Sequence, residues 1–105
     1  MKPAFLRPQA KLDRKDEVRY YRTHAGNTVA SNLVAASRKA LDQLEHDPAI
    51  GSPRMGQLLD IPGLRSWRIS GFPLVWFYFE RADCLDVVRL LGQRQDMVAI
   101  LGDSE

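Results

Sequence analysis

An uninterrupted apolar run, LVWFYF at residues 74–79, restricts the fold of this chain more than any other feature. Its six residues are too few for a membrane span, which needs ~20. A strand with one solvated face alternates apolar and polar residues, and this run does not. It therefore predicts a central strand that is buried on both faces. We expect residues 75–79 to be the least exposed part of the chain.

Two helices are predicted in the first half. Pro8 suits the first position of a helix, and residues 9–24 contain no Gly or Pro and many good helix formers. Gly26 ends this helix, and a turn of two to three residues leads into the next as an αα-hairpin. Residues 29–46 place apolar and small residues at a spacing of three and four, as an amphipathic helix does: Ala30, Leu33, Val34, Ser37, Ala40, Leu41 and Leu44.

The other segments predict a small sheet. Residues 4–6, bracketed by prolines, suit an edge strand. Further strands are predicted at 64–70, 74–80 and 84–91, and a short helix at 93–101. The order β-α-α-β-β-β-α predicts an α+β fold, with the helical hairpin packed on a small, twisted, mostly antiparallel sheet, in one domain over residues 1–105. The loop at 48–63, about sixteen residues long, is predicted to be functional or loosely packed.

Charge is unevenly distributed, although the net charge is only +2. Residues 1–40 hold nine Lys or Arg and three Asp or Glu, a net of +6, whereas residues 41–63 sum to −3 and residues 64–105 to −1. Arg supplies eleven of the fifteen basic residues, and it forms forked contacts with carboxylate or phosphate. The pattern is typical of a chain with an acidic partner, either nucleic acid or protein, and also of a solvated helix face.

Motifs for a cofactor, a metal or a catalytic nucleophile are absent. The chain has no glycine-rich phosphate loop, no HExxH and no Gly-x-Ser-x-Gly, and Cys84 is its one cysteine. We therefore expect no cofactor and no metal. The N-terminus has no secretory leader and no segment is long enough to span a membrane, so cytoplasmic localisation is expected.

Arginines on the predicted sheet are the remaining candidates for a site. An arginine inside an apolar strand is costly unless it reaches solvent or a partner. The group therefore forms either an anion site on the sheet or ion pairs with Glu80, Asp86 or Asp96. Its members are Arg65, Arg68 and Arg89 on strands and Arg94 at the start of the last helix.

Four segments, together covering most of residues 4–101 in the same order, resemble toxins of the ParE/RelE superfamily. Residues 63–79 are similar to the second and third strands of these toxins, and residues 86–101 to their last strand and helix. Residues 7–26 resemble their first helix, and residues 44–51 the end of their second. The resemblance implies a toxin of a type II toxin–antitoxin pair, and a small cognate antitoxin that wraps it with an amphipathic or extended segment.

The two branches of this superfamily differ in activity. RelE-like toxins cut mRNA in the ribosomal A site with basic residues and a Tyr or His as acid or base, whereas ParE-like toxins block DNA gyrase and lack that set. Here Gln93 stands near the position of the family's frequent His, and no Tyr follows Tyr78. Cleavage needs a proton acceptor and a donor, and Arg is a poor base. The resemblance favours a gyrase-binding inhibitor over an enzyme, with a ribosome-dependent mRNA endoribonuclease as the alternative.

The resemblance and the charge pattern together assign two sets of residues. Target contacts are expected from Arg65, Arg68, Arg89 and Arg94. Antitoxin contacts are expected from Leu33, Leu41, Met97, Ile100 and Leu101. The expected partners are the antitoxin and DNA gyrase, with no membrane and no small-molecule cofactor. Arg14 and Glu17 stand where family members usually carry Leu and Ile, so the first helix is expected to pack differently or to meet a different partner.

Overall fold

The computed structural model describes residues 1–93 and 95–103, which form four strands and four α-helices. In chain order these are β1 (Ala4–Leu6), α1 (Pro8–Ala25), α2 (Asn27–His46), α3 (Arg54–Leu59), β2 (Leu64–Arg68), β3 (Leu74–Glu80), β4 (Leu85–Gly92) and α4 (Met97–Asp103), with a 3-10 turn at Pro48–Ile50. The predicted α+β fold is confirmed, with α3 as an additional element. None of these helices is long and apolar enough to cross a membrane.

The strands form one sheet in the order β1-β4-β3-β2, in which β1 runs parallel to β4 and the other neighbours are antiparallel. Trp76 and Tyr78 of β3 pack in the core beneath α1 and α2, on what we call the hairpin face. Phe77 and Phe79 point the other way, toward α3 and α4, on the short-helix face. All four side chains are buried. The prediction of a central strand covered on both faces is confirmed.

The junction between α1 and α2 is shorter than predicted. α1 ends at Ala25 and α2 begins at Asn27, so Gly26 alone connects them. Its φ of +96° lies in a region that side chains with a Cβ rarely adopt. The expected turn of two to three residues is therefore wrong, because one glycine at positive φ reverses the chain without further residues.

The segment at 48–63 is more ordered than the predicted loop. It contains the 3-10 turn, an antiparallel bridge between Ser52 and Ser66, and α3. Gly56 lies buried inside α3, where an added Cβ would stand 2.6 Å from the carbonyl oxygen of Leu64. The expectation of loose packing is wrong here, because this glycine lies inside the helix and allows α3 to pack closely against β2.

The two edges of the sheet are partly closed by the rest of the chain. At β1, the outward-facing N–H of Ala4 donates to a carboxylate oxygen of Glu45 at 2.7 Å, and the N–H of Lys2 donates to the Glu45 carbonyl at 3.2 Å. At β2, Ser52 and Ser66 exchange two backbone hydrogen bonds of 2.9 Å. Beyond Ser66 the outward backbone of Arg68 meets no strand of the described chain.

Candidate target-binding surface

Arg89 is tied to the first helix. Its guanidinium donates from Nε and Nη2 to the two carboxylate oxygens of Asp13, at 2.7 and 3.0 Å. The same carboxylate accepts the backbone N–H of Leu90 at 3.0 Å and the side-chain amide of Gln9 at 3.0 Å. The side chains of Arg89 and Asp13 are only 18% and 8% exposed. This forked ion pair holds α1 against β4.

The side chain of Arg65 is also engaged in hydrogen bonds within the protein. It shares the hairpin face of β2 with Trp67, whose indole N–H donates to Gln43 of α2 at 3.0 Å. The Arg65 guanidinium donates from Nη1 to the carbonyl oxygens of Gly51 at 2.7 Å and Ala49 at 3.3 Å. It thereby fastens the chain between α2 and α3 to the sheet.

Arg68 differs from both. It is the last residue of β2 and is exposed. Because side chains alternate along a strand, it lies on the short-helix face with its cross-strand partner Val75. Within the part of the chain that the structure describes, no carboxylate lies within ion-pairing distance of it. Arg68 is thus the strand arginine that is free to meet a partner.

The four predicted contact residues do not form one cluster. Arg65 and Arg68 lie on opposite faces of β2, Arg89 is engaged by α1, and Arg94 lies outside the described residues. α4 begins at Met97, three residues after the predicted position of Arg94 at the start of this helix.

The expected ion pairs with Glu80, Asp86 and Asp96 are wrong for the described strand arginines. Glu80 pairs with Lys2 at 2.8 Å, and Asp86 pairs with Arg7 and Arg81 at 2.9 and 3.0 Å. The Arg7 hydrogen bond, assisted by Arg81, holds the pKa of Asp86 below its usual range. Asp96 instead accepts the N–H of Ala99 at 3.1 Å, in the first turn of α4.

Sequence reasoning missed Asp13, which is 76 residues away from its partner Arg89. A signal was present in the first helix. Ala10, Asp13 and Glu17 follow a spacing of three and four, and all three are buried against the rest of the molecule. A carboxylate on the buried stripe of a helix requires a cationic or hydrogen-bonding partner. Of the two residues expected to make this helix pack differently, Glu17 is buried and Arg14 is half-buried.

Tyr78 is the one tyrosine on the described strands, and its hydroxyl is fully engaged. It donates to the carbonyl oxygen of Pro48 at 2.7 Å and accepts the N–H of Gly51 at 3.0 Å. Burial raises the pKa of this phenol. The two histidines lie in the last turns of α1 and α2, where His24 and His46 each contact a backbone carbonyl of their own helix. Neither type of ring offers a proton acceptor on the sheet.

The residues predicted to contact an antitoxin fall into two groups. Leu33 and Leu41 of α2 have no exposed surface and Leu101 has 2%, because all three fill the two cores. Met97 and Ile100 are half-buried at the margin of the short-helix core. The apolar side chains that these helices do expose include Val34 of α2 and Val98 of α4.

Two surface depressions flank the sheet. One, of about 360 Å³, lies between α3 and the start of β2, and Gln57, Asp60 and Arg65 are among its polar lining. The other, of about 260 Å³, is a groove beside α2 and is lined by Ala36, Lys39, Ala40, Gln43 and Ser70. Within residues 1–93 and 95–103, no three His, Cys, Asp or Glu side chains come together to hold a metal ion.

Comparisons with known proteins agree with this architecture. A solved structure described as "Chromosomal ParDE TA system from P. aeruginosa" superposes with a TM-score of 0.73, at 16% identity, over 88% of this chain and 96% of that chain. At this identity the likeness shows a shared fold. No curated protein matches the chain. The family described as "ParE toxin of type II toxin-antitoxin system, parDE" matches residues 4–97. A match over this much of the sequence shows that the chain belongs to the ParE toxin family of type II toxin–antitoxin systems.

Proposed function

We propose that this toxin inhibits DNA gyrase by binding it, without a chemical step of its own. The proposal rests on which polar groups of the sheet are free and which are hydrogen-bonded within this member of the ParE family. Arg68 is exposed and without an ion-pair partner in the described chain, whereas the Tyr78 hydroxyl is buried with both of its hydrogen bonds made. The sheet thus offers a cation for contact, whereas its one phenol is bound to backbone groups of the protein itself.

An mRNA-cleaving mechanism fits these groups poorly. Attack by a 2′-hydroxyl needs a base near neutral pH and a donor for the leaving oxygen. The pKa of Tyr78 is raised by burial, which makes the phenolate harder to form. The side chains of His24 and His46 lie on the helical hairpin. Arginine stabilises negative charge but is a poor base.

Among the predicted target contacts, Arg68 is the strongest candidate. Arg65 and Arg89 would each have to leave protein hydrogen bonds in order to bind a partner. Removing the Arg89 guanidinium would also leave the buried carboxylate of Asp13 unpaired, which is strongly destabilising. We therefore assign Arg89 a structural role and Arg68 a contact role.

The decisive experiment is a gyrase supercoiling assay with wild type and three alanine variants, each with its melting temperature measured. Arg68→Ala should keep the melting temperature and lose inhibition. Arg81→Ala is the matched control, because Arg81 is an exposed arginine just beyond the opposite end of β3 and its ion pair with Asp86 contributes little. It should keep both properties. Arg89→Ala should melt at a lower temperature. Full supercoiling with excess folded wild type, together with cut mRNA in cells mapped by primer extension, would support the ribonuclease instead.

We further propose that the cognate antitoxin occupies the groove beside α2 and the end of β2 next to it. The outward backbone groups of Arg68 are placed to pair with an extended segment, which is a common mode of peptide recognition. Lys39, which lines the groove, favours an acidic segment there. Met97, Ile100 and the exposed Val98 form a second apolar area for the rest of the antitoxin.

A pair of charge reversals tests this assignment. Lys39→Glu should weaken binding of the cognate antitoxin by about 10-fold, a change of about 1.4 kcal/mol. Lys15→Glu makes the same substitution on the exposed side of α1 and should leave the affinity unchanged. Isothermal titration calorimetry measures both. A larger loss with Lys15→Glu would move the antitoxin to α1.

A further inference from the structure

The solvent-facing side of α1 carries a row of basic residues that is separate from the candidate surface on the sheet. Lys11, Lys15, Arg19 and Arg22 are all exposed and are spaced by four, four and three residues. This spacing places them along one side of the helix. At 1.5 Å per residue the row extends over about 16 Å. We call these four residues the cationic ridge.

The ridge differs from five other basic residues in that its charges are hardly neutralised by carboxylates. Lys2, Arg7, Arg38, Arg81 and Arg89 each have a carboxylate partner within 3.0 Å. In the ridge, Arg19 approaches Asp16 only to 3.7 Å, and both side chains are about two-thirds exposed. For Lys11, Lys15 and Arg22, no ion pair is present in the described part of the molecule. Four of the nine basic residues within residues 1–40 therefore lie along one side of α1, and three of these four have no ion pair among the described residues.

The shape of this surface favours a polyanion over an acidic amphipathic segment. Such a segment needs a groove for its apolar side, and the ridge offers a single exposed leucine, Leu12 at 52%. The groove that the molecule does have lies beside α2, at Lys39 and Ser70. A phosphate backbone, in contrast, requires only cations at regular intervals.

We propose that the cationic ridge binds the phosphate backbone of a nucleic-acid duplex without reading its sequence. The contacts are electrostatic, made by two Lys and two Arg side chains, and the bases play no part. This inference does not depend on gyrase, since it concerns the isolated chain and a surface on a different element from Arg68.

Fluorescence anisotropy of the full chain with a labelled 20-base-pair DNA duplex, and with an RNA duplex of the same length, tests the proposal. Four phosphate contacts give a slope of log K against log salt of about −3.6 on B-DNA, so affinity should fall about 150-fold between 50 and 200 mM salt. The two duplexes identify which nucleic acid is preferred. Absence of binding to both at 50 mM salt would overturn the proposal.

Two double variants separate the ridge from general charge. Lys15→Gln with Arg22→Gln removes two ridge cations and should reduce the fall over the same salt range to about 12-fold, because about two contacts remain. Arg54→Gln with Arg81→Gln removes two exposed arginines elsewhere, and should leave the salt dependence of the wild type. Melting curves establish that both are folded. Equal effects of the two variants, or tighter binding of polyglutamate than of either duplex, would contradict a duplex-binding ridge.

Discussion

The hairpin face of the sheet is covered by helices of 18 and 20 residues, whereas the short-helix face is covered by helices of 6 and 7. The long helices are also joined to the sheet by buried polar contacts, including Trp76 to the Ser37 carbonyl at 3.2 Å and Arg89 to Asp13. Isolated helices as short as α3 and α4 are marginal in water, so they depend on docking. From this difference we expect the hairpin face to open only with global unfolding and α4 to undock on its own.

Phe77→Ala tests whether the short-helix face matters to global stability. Phe77 is 1% exposed and lies in the middle of β3, between two neighbouring strands that prevent local relaxation. We expect a loss of about 3–5 kcal/mol in the free energy of unfolding, measured in urea. Leu58→Ala, on the same side of the molecule but 71% exposed, should change it by less than about 0.5 kcal/mol. A loss for Phe77→Ala as small as this would mean that α3 and α4 contribute little to the fold.

Asp13→Asn tests the polar attachment of the hairpin face. It removes the charge opposite Arg89 and leaves that guanidinium, 18% exposed, without its ion pair. We expect a loss of about 2–3 kcal/mol, somewhat less than for a fully buried pair. Asp16→Asn is the control, because Asp16 is exposed on the same helix and its pair with Arg19 contributes little. Equal effects in thermal melts would show that the Asp13–Arg89 pair does not hold α1.

Leu101→Ala measures the independence of α4. Leu101 is buried in the short-helix core, and it lies in the short helix α4, which we expect to undock without the sheet. We expect a global loss of about 2 kcal/mol, at the low end for a buried leucine, and faster amide exchange confined to α4. Exchange that accelerates equally in β3 would show that α4 and the sheet unfold as one unit.

The smallest expected effect comes from the ion-pair network of Asp86 with Arg7 and Arg81, at the start of β4. Hydrogen bonding from Arg7 lowers the pKa of Asp86 below its ordinary value of 3.8. Its contribution is therefore present above that value and is lost as the pH falls toward the folded-state pKa. Asp86→Asn should cost about 1 kcal/mol or less at neutral pH, and the variant should lose less stability on acidification than the wild type. Parallel pH curves for the two proteins would contradict this.

Elements with a strong local pattern were predictable from the sequence. The amphipathic spacing of α2 and the apolar run of β3 each identify their own element. A helix buried on one side and a strand buried on both faces each require a characteristic order of apolar residues. The sequence does not predict α3, because the prolines and glycines scattered through residues 48–63 are typical of a loop, whereas Gly56 in fact makes a close contact with Leu64. In such a segment, the order of residues does not show which other parts of the chain pack against it.

The site was less predictable than the fold. The parity of Arg65 and Arg68 along their strand follows from the sequence, and with it their placement on opposite faces. The partner of Arg89 does not follow from the sequence, since Asp13 is remote in sequence and lies in a helix with a weak apolar stripe. Likewise, the spacing of Leu33 and Leu41 marks a buried stripe, but it does not say whether the sheet or an antitoxin covers it. In the structure the sheet covers it.

The contacts at the two edges of the sheet have a consequence for aggregation. Open strand edges are templates on which copies of a chain add to one another. The outward N–H of Ala4 donates a hydrogen bond to Glu45, and the backbone N–H and C=O of Ser66 both hydrogen-bond to Ser52. At the β2 edge, the short stretch after Ser66 remains open to pairing within the described residues, and it carries the charge of Arg68, which repels a second copy of itself. These contacts disfavour the addition of further copies at the sheet edges, while the end of β2 stays open to a chain of opposite charge.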